Sequence, residues 1–577
     1  MIVSTFSTTM KSIQLVLLLL VLSATTINCS RKQTDINHSN AVTHAYIADF
    51  DYLNPVLLQE GTSREMCNLI FPRLFEEYFD SARGITAFEP LFAKSFEISP
   101  DHKRVRFVLR DDVKWFDGKP VTAKDWLFTY KLYADSVIAS SRQNFVTENF
   151  ALGENGQVDF QKAVQLPGDY ELVVNFEKPL PMEMLLKYVN LGFISREVWK
   201  DVEEMSPAEK VAIRKDDRNF NPEKIIGAGP YKVEKWVRNQ ECVLVANTQC
   251  NLPRPPKIKY LVNRFVPEYT TRLTLLKTAA ADIVQNLTPD DAIQLANDKS
   301  SNIQIFERGY ISYDYVAWMN IDQKLYNEKK EIKPHPLFGS KKIRQALTLA
   351  INRQSIIDGF LKGYGMLATT DYPPICLWAK PDLKPMPYDS EQAKKLLEEE
   401  GWKIGRDGIR EKNGRKFSFQ LTINAGNQRR NYAATVIQQN LKEIGIDCQI
   451  EQLESNIVLE RTRKRELDAF LFGWIVSPPD VDPSETRLSD LEKTPYNMVA
   501  FQNLKVDELI KKGKSETDLM NAAKYWKEYA AMIYDEQPET ILYWMTGLNG
   551  VNQRVKNVRI SPVGTFENVI DWELATQ

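Results

Sequence analysis

Histidine is scarce in this chain: of 577 residues only His38, His44, His102 and His335 are histidine, and no two stand at metal-ligand spacing. Neither H-E-x-x-H nor G-x-S-x-G occurs, which removes the usual sequence signs of a zinc protease and of a serine hydrolase. There are 6 cysteines but no C-x-x-C, so zinc ribbons and thioredoxin-type redox chemistry are unsupported. A surplus of one charge is also missing. The 74 Lys and Arg nearly balance the 76 Asp and Glu, leaving a net charge of −2 without the basic excess of a nucleic-acid-binding protein. Adjacent acids such as Asp111-Asp112 and Glu76-Glu77 are common on solvated surfaces and do not by themselves define an acid/base pair. No internal repeat is visible. These absences lead us to expect no enzyme, no cofactor and no resident metal.

What is present is an ordinary globular composition, 43% hydrophobic and 26% charged, in a chain long enough for roughly two to four lobes. The 11 Trp and 23 Tyr suit walls of a pocket for amphipathic ligands and serve equally as core. Met10-Lys11 followed by Ile13 to Leu22 reads as a basic start and an apolar run too short to span a bilayer. Translation starts at Met1 or Met10. The following Thr25-Thr26-Ile27-Asn28-Cys29 resembles a bacterial lipoprotein cleavage site with Cys29 as the lipidated residue, although Thr26 and Asn28 depart from the usual pattern. The alternatives are an ordinary signal peptide cut near Ala24 or a structural cysteine. Residues 30–41 are polar and unpatterned and suit a tether. Of Cys67, Cys242, Cys250, Cys376 and Cys448 most are expected as buried free thiols, with a Cys242–Cys250 bridge as the alternative.

The most informative stretch runs from Val105 to Tyr133. Val105, Phe107 and Leu109 alternate with Arg106 and Val108 as in a strand, and Asp117-Gly118 supplies a turn. Thr122 with Asp125 three residues on forms a capping box, and Trp126, Tyr130 and Tyr133 follow at helical spacing. Leu109-Arg110, Trp115-Phe116-Asp117-Gly118 and Thr122-Ala123-Lys124-Asp125 together resemble the signature of the family 5 extracellular solute-binding proteins, the peptide-binding subunits of ABC importers.

Further motifs agree in order with that resemblance. Asp51-Tyr52-Leu53-Asn54-Pro55 resembles the family's opening turn, and Glu65 to Tyr78 is expected as one helix through Met66, Ile70, Leu74 and Tyr78. Tyr170 to Phe176 alternates as a strand. Gly227-Ala228-Gly229-Pro230-Tyr231 resembles the family's Gly-Thr-Gly-Pro-Tyr element. Without a following Gly-Lys-Ser/Thr it is no phosphate loop, and its glycines predict a close turn against another backbone. Ser340 is expected to cap a helix whose face is Ile343, Ala346, Leu347 and Ala350. Tyr388-Asp389 opens another helix, stopped at Gly401-Trp402, and Asp407-Gly408 and Asn413-Gly414 read as hairpin turns.

The resemblance implies an α/β fold of the periplasmic-binding-protein type, with two lobes and an extra subdomain (cluster C), closing about a hinge. It divides the chain into a signal peptide at 1–29, a tether at 30–41, and lobe I from 42–85, 220–308 and 538–577. The subdomain is 86–219 and lobe II is 309–537. It places the ligand against Gly473-Trp474. Peptide binders of the family carry, three residues after that tryptophan, an aspartate that pairs with the peptide's α-amino group, and Ser477 stands there instead. Asp480 or Asp482 takes that role, or both only shape a Pro-rich turn. Tyr496-Asn497 fits a downstream ligand contact. Tyr315, Trp318 and Asn320, in a run resembling the family's aromatic strand, line the groove or belong to the core.

The resulting expectation is a monomeric, lipid-anchored, envelope-located subunit that delivers oligopeptides to an ABC permease and its ATPases, with no nucleic acid as partner. Another solute, such as an oligosaccharide, a nickel chelate or haem, and a surface adhesin or sensor are the rival readings.

Overall fold

The computed structural model describes residues 36–376, 382–476, 482–494 and 496–575. Its backbone is one large mixed sheet. From one edge the strands run Asp447–Leu453, Ser418–Asn424, Ala469–Ile475, Ile303–Trp318, Glu539–Asn552, Ile283–Val284, Ala41–Tyr46, Tyr260–Phe265, Glu241–Ala246 and Tyr231–Val237. Gly365–Leu367 is added beside Glu539–Asn552. The two central strands are far longer than their neighbours and antiparallel, with Ile303 opposite Asn552 and Ala317 opposite Glu539. One end of the pair is flanked by Ala469–Ile475 and the other by Ile283–Val284, so the two strands belong to both halves of the sheet. Their register slips between Glu307 and Tyr310, between Tyr310 and Ser312, and between Asp314 and Tyr315. Such bulges bend a ladder and raise its local twist.

Separate apolar clusters build the two halves. One contains Phe50, Met66, Trp126, Tyr231 and Trp572, and the other contains Trp318, Phe338, Leu347, Trp402 and Phe419. Beside the first half lies a second sheet, ordered Ala93–Ile98, Arg104–Leu109, Glu171–Asn175 and Val164–Gly168. Within it Arg104–Leu109 alternates strictly between exposed and buried residues, as its sequence predicts.

Helix Ala123–Ala134 begins after Thr122, whose backbone N–H and hydroxyl both donate to the Asp125 carboxylate at 2.9 and 3.0 Å. The Asp125 carboxyl is pushed up by burial, and its other oxygen accepts from the Arg196 N–H at 2.9 Å. The aromatic face packs on Met182–Val189. Trp126 stacks on Tyr130 with ring centroids 3.7 Å apart, and the polar tips find backbone carbonyls at Val189 (3.2 Å), Tyr188 (3.2 Å) and Gly192 (2.8 Å). A buried Trp or Tyr is favourable only when its N–H or O–H is satisfied in this way.

One expected helix is shorter than its periodicity suggested. Gly61–Ile70 ends at Phe71, which is extended at φ −106° and ψ 148°, and Phe75–Asp80 is a strand paired with Ile85–Pro90. Pro72 disfavours a helical Phe71, and the carbonyl of Ile70 is taken by the N–H groups of Ala228 (3.0 Å) and Gly229 (2.9 Å). At that contact a Cβ on Gly227 would lie 2.0 Å from the Ile70 oxygen, and one on Gly229 would lie 2.3 Å from the Leu69 oxygen. This is the close backbone turn expected of the Gly-Ala-Gly element. The helix after Ser340 is present over Lys341–Ala350, but the Ser340 hydroxyl makes no capping bond.

Cys67, Cys242, Cys250, Cys376 and Cys448 are all buried and free, so the Cys242–Cys250 bridge is not formed. Burial pushes the Cys250 thiol up to about 11 and those of Cys376 and Cys448 up to about 12. Among the described residues no helix is long and apolar enough to cross a membrane.

Candidate functional site

Gly473 and Trp474 lie near the end of the strand Ala469–Ile475, opposite Asp314 and Tyr313 of the central strand. Beneath Gly473 is a buried charge cluster. The Asp314 carboxylate, fully enclosed, accepts from Arg429 Nε at 2.7 Å, Arg430 Nε at 3.2 Å and the Tyr543 hydroxyl at 2.9 Å. Burial opposes the ionised form, but the two guanidinium groups outweigh it and hold this carboxyl below the usual carboxylate range. Arg430 also donates to Asn424 Oδ1 at 2.8 Å and lies 4.9 Å from the Phe472 ring centroid. Two cations on one anion leave this floor with a net positive charge.

Trp474 is half-buried and meets Tyr496 edge-on, with ring centroids 5.9 Å apart. Arg463 lies over the other part of that pair, 5.8 Å from the Tyr496 ring. Ile475, next along the strand, is 73% exposed. The arrangement offers a solvent-reachable aromatic corner over a buried, charged floor, suited to stacking on a ligand.

The other expected site residues divide. Ser477 and Asp480 lie outside the described residues, as does Cys29. Asp482 is engaged internally, with Lys514 Nζ 2.7 Å away and the Ser484 hydroxyl donating to its other oxygen. Tyr315 is enclosed near Tyr313 and Phe470. Trp318 is in the core of the second half, packed on Phe338 and Phe419, with its indole N–H on Thr540 Oγ1 at 2.9 Å. Asn320 donates to the carbonyls of Trp318 (2.8 Å) and Pro538 (3.0 Å). Asn497 is fully buried and locks a turn, donating to the Leu488 and Phe501 carbonyls and accepting from the Phe501 N–H. Trp474, Tyr496 and Gly473 are therefore together, whereas Trp318, Asn320 and Asn497 spend their polar groups on the fold.

Two charged groups escaped sequence reasoning. The first is the Asp314–Arg429–Arg430 set, signalled only by a lone acid inside an aromatic strand and by two arginines opening a helix, where acids are the favoured residues. The second is Arg487, which donates to Glu539 at 2.6 Å and to Asp371 at 3.0 Å, while the Tyr529 hydroxyl donates to Asp371 at 2.8 Å. It ties three distant segments together in the second half.

The model of the bacterial extracellular solute-binding proteins, family 5, matches residues 87–491. The oligopeptide-binding protein AppA of Bacillus subtilis is 31% identical over 478 residues, covering 81% of this chain and 80% of the relative. The heme-binding protein A of Haemophilus influenzae is 26% identical over 553 residues, covering 93% of each chain. Among solved structures, AppA from Bacillus subtilis in complex with a nonapeptide superposes with a TM-score of 0.73 at 24% identity, covering 93% of this chain and 99% of that one. The fold is the two-lobe periplasmic-binding-protein type of cluster C.

Proposed function

Because this chain belongs to the bacterial extracellular solute-binding proteins of family 5, we propose that it captures oligopeptides between its two lobes and delivers them to the permease of an ABC importer. The similarity to an oligopeptide-binding relative, 31% over 81% of the chain, carries this reading. In it, lobe I comprises 42–85, 220–308 and 538–577, the subdomain 86–219 and lobe II 309–537. The two central strands, which are flanked by both halves of the sheet, act with the chain just before Glu539 as the hinge. Trp474 and Tyr496 stack on the extended solute, whose backbone is held by hydrogen bonds. The protein works as a monomer in the cell envelope, anchored through a lipid on Cys29.

A second reading is supported by the heme-binding relative and by Ser477, which removes the carboxylate that the family's peptide binders place against an α-amino group. On that reading the same cleft holds one specific non-peptide solute. Native mass spectrometry of the protein purified from its own cells separates the two. A ladder of masses of a few hundred daltons released on mild denaturation is expected. One discrete released mass that is not a peptide would overturn the peptide reading.

A further inference from the structure

Along the strand Glu539–Asn552 the neighbour on one side changes from the second half of the molecule to the first. Gly365–Leu367 pairs with it at Tyr543 to Met545, and Ile283–Val284 pairs with it at Gly550 and Val551. Among the described residues no strand pairs with Thr546 or Gly547 on that side. On its other side the ladder with Ile303–Trp318 slips at the same level, with Tyr310 opposite Thr546 and Ser312 opposite Met545. The Gly309 N–H, on a residue at φ 96°, donates to the side-chain Oγ1 of Thr546 at 3.0 Å instead of to a backbone carbonyl. A ladder that is slipped on one side and unpaired on the other bends most easily there.

Tyr364 crosses this level. Ile357–Leu361 forms a π-helical turn, and Lys362 and Gly363 follow with φ 51° and 92°. The chain then enters its short strand at Gly365, opposite Met545. A Cβ on Gly365 would lie 2.5 Å from Leu361 Cδ1, so the turn is packed tightly against its own exit. Leu361 belongs to the apolar cluster of the second half, with Leu347 and Tyr543. Tyr364 is half-buried and packs instead on the cluster of Leu276, Val284, Leu287, Ile303 and Leu548, in the first half. Among the described residues its hydroxyl makes no hydrogen bond, so the ring supplies the contact.

This contact lies on the face away from Ile85. Ala45 is in the cluster that receives Tyr364, and Tyr46 is in the cluster of Phe75. Successive residues of a strand point to opposite faces, so these two clusters lie on opposite sides of the sheet. Phe75 belongs to the hairpin whose Ile85 enters the cluster of Tyr313, Tyr372 and Trp544. The bending level is therefore bridged on both faces, by Ile85 on one and by Tyr364 on the other.

We propose that Tyr364 is a brace across the hinge, holding the two halves together on the face away from Ile85 so that they part on the Ile85 face alone. The proposal rests on the hinge reading above. Such a brace narrows the set of open arrangements, and so reduces the ordering that capture of a solute requires.

Nitroxides on Lys232→Cys of the first half and Lys395→Cys of the second test it, both positions being exposed. The background is Cys29→Ser, and the buried thiols of Cys67, Cys242, Cys250, Cys376 and Cys448 stay unlabelled. Pulsed electron resonance then gives the distribution of distances between the halves. Ile85→Asn should lengthen the mean distance and keep the distribution narrow. Tyr364→Ala should broaden the distribution by about twofold or more, as should the polar Tyr364→Gln, whereas Tyr364→Phe should match wild type. A distribution for Tyr364→Ala and Tyr364→Gln as narrow as that of wild type overturns the brace. So does one for Tyr364→Phe as broad as that of Tyr364→Ala. In either case a longer distance in Ile85→Asn leaves the hinge standing. Distances unchanged in Ile85→Asn and in every Tyr364 variant overturn the hinge and the brace together.

Discussion

Gly473 lies directly opposite Asp314 on the neighbouring strand, and the Asp314 carboxylate occupies the room that a side chain at Gly473 would need. A Cβ there would be 2.4 Å from Asp314 Oδ1 and 2.8 Å from an Arg430 nitrogen. The glycine before Trp474 is thus required by a buried ion cluster, whatever the ligand. Gly473→Ala is expected to destabilise the protein by about 1–3 kcal/mol, through overpacking of a charged and poorly compressible site. Thermal denaturation checks this, and an unchanged melting temperature would show that the cluster can move aside.

Arg487 is the sole cation facing Asp371 and Glu539 among the described residues. Burial raises the Glu539 carboxyl even in the presence of Arg487. Arg487→Ala would leave two enclosed carboxylates without a counter-charge, a loss of about 3–5 kcal/mol at neutral pH. The sign of its pH dependence follows from linkage. Carboxyls whose folded pKa lies above the unfolded value penalise folding above that folded pKa, and the penalty disappears as pH falls and they are protonated. The deficit of the variant relative to wild type should therefore shrink between pH 7 and pH values near the unfolded carboxylate range. Paired urea titrations at neutral and mildly acid pH measure it, and a deficit that grows on acidification would contradict the assignment.

Ile85 is 1% exposed and is enclosed in a contact with the apolar cluster of Tyr313, Tyr372 and Trp544. Ile85→Asn places an amide in that contact and should shift the ligand-free protein towards an open form. Small-angle scattering is expected to give a larger radius of gyration than wild type, with the difference reduced at saturating ligand. Identical scattering curves for the two proteins would mean that the hairpin does not hold the lobes together.

Cys29→Ser tests the anchor. The variant should leave the membrane fraction and appear in the soluble envelope fraction, since one signal peptide without a lipid provides no lasting attachment. Continued membrane association of the variant would count against lipidation at Cys29.

Where interactions close within about ten residues, the sequence was enough. The alternation of Arg104–Leu109, the Thr122–Asp125 start of the helix and its aromatic face all follow from periods of 2.0 and 3.6 and from short-range capping, and the structure has each of them. The Gly227-Ala228-Gly229 turn was also legible, because only glycine tolerates such an approach of two backbones. Family membership came from the order and wording of these local motifs.

Tertiary structure decided the rest. The helix entered at Gly61 stops at Ile70 against the periodicity because Pro72 and the Gly-Ala-Gly turn meet it there, from neighbouring and distant sequence respectively. Trp318, Asn320 and Asn497 look like groove residues in one dimension, yet their polar groups are consumed by carbonyls and a hydroxyl brought to them by folding. Asp314 meets Arg429 across 115 residues, and Arg487 meets Asp371 across 116. Local periodicity carries no information about which distant charge will neutralise a buried one, because that choice is made only when the lobes close their cores around it.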